Sequence, residues 1–147
     1  MTALVDTNVL VYRFDPRDPG KQQIARQLLR EGIENDTLRV PHQAIVEFVQ
    51  AVTRPLGRSG QSLLTRAEAL REAEEMLSQF GILFPTEQLL RTAIRAVQTY
   101  QLGWLDAHLW AYAEHYALDE LLTEDLSDGQ LIGTVRVRNP FKAQIRP

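Results

Sequence analysis

The sequence predicts an α/β sandwich built on a mostly parallel central sheet. Short strand-like apolar runs alternate with longer segments of helical periodicity through the whole chain, and that order gives parallel strands joined by covering helices. Two of the strand-like runs also end near an acid, Asp6 and Asp125. In open parallel sheets, ligands bind just beyond the carboxyl ends of the strands, close to where strand order reverses.

Residues 2–6 read as a short buried strand that runs into Asp6. Residues 19–34 place Ile24, Leu28 and Leu29 at helical spacing after a Pro-Gly start. Leu38, Arg39 and Val40 form a second strand, stopped by Pro41. From His42, Ile45, Phe48, Val49 and Val52 mark one face of a helix. Residues 55–62 (PLGRSGQS) read as a loop. Thr65, with Glu68 three residues on, forms a capping box for a helix over 66–80. Gly81 ends that helix, and Ile82, Leu83 and Phe84 form a strand before Pro85. Thr86 caps the next helix, whose apolar stripe is read as Leu90, Ile94 and Val97. A helix follows Gly103 to about Ala117, then a strand over Glu120–Thr123 and a last strand over Thr134–Val137. The chain shows no repeat and no dividing linker, so residues 1–147 are expected to form one domain.

Composition removes several classes of function. With no cysteine, neither a disulfide nor a thiolate-bound zinc is available. No run approaches the length of a membrane span, and the N-terminus lacks a basic leader region, so a cytoplasmic location without membrane attachment is expected. The net charge of −3 argues against an indiscriminate nucleic-acid binder. Of the 16 basic residues only Lys21 and Lys142 are lysine, and arginine suits bidentate contact with phosphate.

Four acids stand out: Asp6, Glu47, Asp106 and Asp125. Each has an ordinary explanation by itself. Asp6 suits a helix cap, Glu47 a solvated helix edge, Asp106 the first turn of a helix and Asp125 a turn. Together, on separate strands and helices, they match what Mg²⁺ or Mn²⁺ requires, a few carboxylate oxygens converging beside water.

The stretches VDTNVLVYRFD, AIVEFV around Glu47, LDAHLWAYA and TEDLSDGQ, with a closing VRVRNPF, resemble the PIN-domain ribonucleases. The closer likeness is to VapC-like toxins of bacterial type II toxin–antitoxin systems. The resemblance implies a three-layer α/β/α fold and a metal-dependent endoribonuclease. Asp6, Glu47, Asp106 and Asp125 would be its catalytic, Mg²⁺- or Mn²⁺-binding acids. Thr7 and Asn8 would support Asp6, with Asp128 as an additional acid, while Glu124 should point elsewhere. The implied partners are an RNA substrate, a small antitoxin and a second copy in a homodimer, for which Leu63, Leu64, Met76, Leu77 and Phe80 are candidate apolar surface, the alternative being that they pack their helix onto the sheet. Arg13, Arg17, Arg54 and Arg58 are expected to line an RNA groove.

Other chemistries fit less well. Phosphatases and receiver domains that end a first strand on Asp need a suitably placed lysine, and neither Lys21 nor Lys142 fits. A serine hydrolase needs G-x-S-x-G, which Gly57-Arg58-Ser59-Gly60 does not supply. His42, His108 and His115 lack zinc spacing. The alternative to a nuclease is a catalytically silent RNA- or protein-binding module of the same fold.

Overall fold

The computed structural model describes residues 1–142; residues 143–147, included in the single-domain expectation, lie outside the described residues. In chain order the elements are β1 (Ala3–Val5), α1 (Thr7–Tyr12), α2 (Pro19–Asn35), β2 (Leu38–Pro41), α3 (His42–Thr53), α4 (Arg66–Gln79), β3 (Gly81–Leu83), α5 (Glu87–Tyr100), α6 (Trp104–His115), β4 (Glu120–Leu122), β5 (Leu131–Ile132) and β6 (Val135–Arg138). One sheet runs in the order β3-β2-β1-β4-β6-β5. Every pairing is parallel except β5 with β6.

The two faces of this sheet carry two separate apolar cores. Ala3 and Val5 face a core shared with α1, α2, α3 and α4, centred on Phe48, Leu10, Leu29 and Met76. Leu4, pointing the other way, joins α5 and α6 around Leu89, Trp110 and Leu121. That alternation follows from the strand period of two, and it makes the fold a three-layer α/β/α sandwich. Among the described residues, no helix is long and apolar enough to cross a membrane.

Local sequence sets most element boundaries. Asp18 caps α2 by accepting from the Lys21 N–H. Thr65 and Glu68 form the reciprocal capping box of α4, and Thr86 caps α5. Where structure and sequence reading differ, the cause is mostly length or helix contact. α1 is too short for periodicity to reveal, and so is the two-residue β5. Gly81 opens β3 rather than closing α4, because α4 already ends at Phe80.

The expected stripe on α5 is displaced. Leu90 and Ile94 are 42% and 46% exposed, and the buried face is Leu89, Ala93 and Ala96. Small alanines let α5 lie close against α6, and a hydrophobicity pattern undercounts them. Most of the apolar surface expected for a homodimer is also spent internally. Met76 and Phe80 are buried, Leu63 and Leu64 pack against the same core, and only Leu77 is exposed.

Gly32 marks the tightest helix–sheet approach, since a Cβ there would overlap the buried side chain of Leu38. Alanine has the better helix propensity by about 1 kcal/mol, yet overpacking costs about 1–3 kcal/mol. Gly32→Ala is therefore expected to destabilise the protein in urea denaturation. Adding Leu38→Val should recover part of the loss. A Gly32→Ala protein as stable as the parent would contradict this packing.

Candidate functional site

The parallel pairing of β1 with β4 sets Val5 opposite Leu122. β1 lies between β2 and β4, so consecutive strands depart to opposite sides of it, and the crevice at the carboxyl ends opens there. Asp6 leaves β1 at this point, tied back by its own N–H to the Leu122 carbonyl at 3.0 Å. Its carboxylate caps α1, accepting from the Thr7 N–H at 2.6 Å.

Asp6 is 8% exposed, so its charge needs partners. The buried Thr123 hydroxyl donates to Oδ2 at 2.7 Å, and Asn8 Nδ2 donates to the same oxygen at 3.2 Å. Asn8 Nδ2 also reaches Asp125 Oδ2 at 3.2 Å, so one amide lies between two carboxylates. The Asp125 N–H in turn donates to Thr123 Oγ1. Glu47, projecting from α3, accepts from the Thr7 hydroxyl at 2.8 Å and from Gln43 Nε2 at 3.1 Å.

Asp106, in the first turn of α6, completes the group. Asp6, Glu47, Asp106 and Asp125 line one cleft of about 160 Å³, together with Gln43, Leu105 and Leu109. A wider neighbouring cleft of about 360 Å³ shares Asp6, Glu47 and Asp125 and adds Thr7, Asn8, Tyr12, Asp15 and Arg17.

The electrostatics follow from this crowding. Burial raises the Asp6 carboxyl from 3.8 to about 6; the Thr123 hydroxyl and Thr7 N–H pull it down, while the Asp125 and Glu47 charges add to the rise. Asp106 is also raised, by burial first and by Asp125 second. Asp15 behaves oppositely, held low chiefly by its hydrogen bonds from Arg17 at 2.9 Å.

Among the described residues, no three His, Asp or Glu side chains stand close enough to hold a metal ion in common. Hydrogen-bond donors from Thr7, Asn8 and Thr123 occupy the spaces between the acids instead. The residues nonetheless suit a hard divalent cation. All the acids offer oxygen, Mg²⁺ typically keeps several waters and takes only one or two carboxylates, and the buried Asn8 Oδ1 has no hydrogen-bond partner among the described residues.

The remaining expected residues divide. Thr7, Asn8 and Arg17 line the wider cleft. Glu124 points away, accepting from Tyr12 Oη at 2.7 Å and Lys21 Nζ at 2.9 Å. Asp128 lines neither cleft: its Oδ1 accepts from the Asn139 N–H at 2.8 Å, and Lys142 Nζ lies 3.8 Å from Oδ2, so it fastens the chain after β6. Arg54 and Arg58 are exposed around the 55–62 loop and line neither cleft, and Arg13 lines a separate cavity. The sequence reading missed Thr123 and Asp15. Thr123 could have been found from the strand alternation that separates Glu124 from Asp125, because it falls on the Asp125 side. Nothing in the local sequence distinguishes Asp15 as a cleft residue.

A family profile described as PIN domain matches residues 3–127. No curated protein sequence matches significantly. Solved structures do. A toxin–antitoxin complex from Klebsiella pneumoniae is similar at a TM-score of 0.68 and 22% identity, over 95% of this chain and 98% of that one. VapC20 of Mycobacterium tuberculosis, a sarcin–ricin loop cleaving toxin, gives 0.63 and 14% over 82% and 87%. FitAcB of Neisseria gonorrhoeae gives 0.65 and 21% over 96% and 99%. At these identities the likeness establishes a shared fold.

The raised Asp6 carboxyl has a consequence for stability. A group harder to ionise in the folded chain than in the unfolded one costs stability as pH rises from about 4 to about 6, and the cost is complete above that. A shift of about two units corresponds to about 3 kcal/mol. Asp6→Asn should therefore be more stable than the parent at neutral pH by about 1–3 kcal/mol, after allowing for an altered hydrogen bond. At pH 4 the difference should shrink. Paired urea denaturation curves at the two pH values measure this, and an Asp6→Asn protein less stable than the parent at both would refute it.

Proposed function

Because the chain belongs to the PIN domain family, we propose that it is a metal-dependent endoribonuclease, a single cytoplasmic domain that acts as the toxin of a toxin–antitoxin pair. The observation that carries this reading is the cleft at the carboxyl end of the sheet, where Asp6, Glu47, Asp106 and Asp125 arrive from four separate parts of the chain. In the proposal these four acids would surround Mg²⁺ or Mn²⁺, one or two of them directly and the others through its waters. Such an ion, when bound, supplies an activated water and stabilises the leaving oxygen of the phosphodiester.

The chain's own groups do the rest. Thr123, Asn8 and the Thr7 N–H hold the Asp6 carboxylate in one orientation, while Thr7 Oγ1 and Gln43 hold Glu47. Partners of this kind fix a ligand's direction before the cation arrives. Arg17 stands in the cleft lining, its Nε and Nη2 occupied by Asp15 and its side chain 60% exposed. Its Nη1 is free to meet a substrate phosphate.

The Klebsiella pneumoniae structure is a toxin–antitoxin complex, and VapC20 is a toxin that cleaves the sarcin–ricin loop. Those likenesses support the same role here, with a small antitoxin as partner and a homodimer as the assembled form. An antitoxin that sends an Arg or Lys into the acidic cleft would neutralise it through charge-assisted hydrogen bonds.

The purified protein should cut members of an RNA panel with Mg²⁺ or Mn²⁺ and stop with EDTA. Asp6→Asn, Glu47→Gln, Asp106→Asn and Asp125→Asn should each lower the rate more than about 100-fold. Thr123→Val, which removes only a supporting group, should cost about 10–100-fold. Cleavage that survives Asp6→Asn, or that persists in EDTA, would refute the proposal.

A further inference from the structure

At the other end of α1 lies a cavity of about 380 Å³ lined by Arg13, Phe14, Arg26, Arg30 and Ile33. It gathers three guanidinium groups, none of them in an ion pair among the described residues. Arg26 and Arg30 are exposed and one helical turn apart on α2, so they share a face. Arg26 Nε donates to the Arg13 carbonyl at 3.2 Å, which fixes it against the end of α1.

Arg13 is the unusual member. Its guanidinium lies 5.0 Å from the Phe14 ring centroid, and its Nε and Nη2 are buried with no hydrogen-bond partner among the described residues. Arginine cannot shed its proton to escape this position, so desolvation of unmatched donors carries a cost that a nearby anion offsets. Glu72 and Glu75 of α4 provide some opposite charge, but neither forms a hydrogen bond with Arg13.

The cavity is also at a useful distance from the acids. From Asp6 to Arg13 the chain climbs α1, about 10 Å at 1.5 Å per residue, a span that a few nucleotides of single strand cover. Arg17, in the lining of the wider acidic cleft, lies on the loop that follows Arg13.

We propose that the Arg13–Arg26–Arg30 cavity is a phosphate site for the RNA backbone, a few nucleotides along from the bond held at the acids. This rests on the nuclease reading above. The cavity reads charge rather than sequence: its lining has no acidic side chain, and the Phe14 ring already has the Arg13 guanidinium over it and packs against Phe48 at 5.6 Å. The chain after α1 gives Arg13 and Phe14 to this cavity and Asp15 and Arg17 to the wider acidic cleft, and that continuity favours RNA over an acidic protein segment.

The test uses fluorescein-labelled RNAs of four and twelve nucleotides sharing a central sequence, with binding measured by anisotropy in EDTA. Arg26→Ala/Arg30→Ala, at two exposed positions, should bind the twelve-nucleotide RNA roughly tenfold or more weakly and leave the four-nucleotide RNA unchanged. The slope of log affinity against log salt should flatten by about 1.4, or about 0.7 for each lost single-strand phosphate contact. Arg26→Lys/Arg30→Lys, keeping the charge, should restore most of the affinity. If the parent cleaves RNA and the double alanine variant binds the long RNA unchanged with the same salt slope, this proposal falls alone, and an acidic protein segment becomes the occupant to pursue. If the parent neither binds nor cleaves RNA of either length, the nuclease reading and this one fall together.

Discussion

Gathering like charges in a partly buried place is the constraint around which this structure is arranged. Four carboxylates at one cleft repel one another, and Asp6 lies almost wholly out of water. Without donors the arrangement would cost several kcal/mol. The fold supplies them from residues adjacent to the acids themselves: the Thr7 backbone, the Asn8 amide and the Thr123 hydroxyl. None of these donors carries a charge, so the cleft stays acidic and receptive to a cation.

Strand register decides which side chains take part. With Val5 opposite Leu122, the residues that follow, Asp6 and Thr123, emerge side by side. The next steps of the chain sort by direction. Asp125 returns to the acids, whereas Glu124 turns outward to Tyr12 and Lys21, whose ammonium also sits 4.9 Å from the Tyr12 ring centroid. Phe141, three residues after β6 ends at Arg138, packs its ring edge against Tyr12 at 4.9 Å. The segment after β4 is thus fastened on its outer side, which keeps Asp125 from following its own repulsion into solvent.

Much of this was legible in the sequence because it rests on local chemistry. The Thr65–Glu68 box, the Thr86 cap and the strand that runs into Asp6 are each set by a few neighbouring residues, and the structure has all three. Glu47 and Asp106 stood out by their helix positions, but no spacing along the chain encodes their arrival beside Asp6, and the family likeness was needed to assign them to one site. What stayed hidden depends on contact between distant parts. α5 turns its alanines inward because α6 lies there, Met76 and Phe80 are taken up by the core, and Asp128 is drawn to Asn139 after β6. Arg13 was expected beside the acids and instead sits beyond α1, because a six-residue helix separates the two ends.

The central pairing of β1 with β4 joins the third residue of the chain to the 120th, and this imposes an order in time. A ribosome adds about 5–20 residues per second, so β1 waits roughly 6–25 s for the strand beside it. Through that interval Asp6 has neither the Thr123 hydroxyl nor Asp125 nearby, and the nascent chain holds half a sheet with an open edge. The cleft therefore cannot close until β4 and the residues after it have been made. A truncated chain that stops before β4 contains all of α1 to α6, yet it lacks the strand, the Thr123 hydroxyl and the Asp125 carboxylate that complete the cleft.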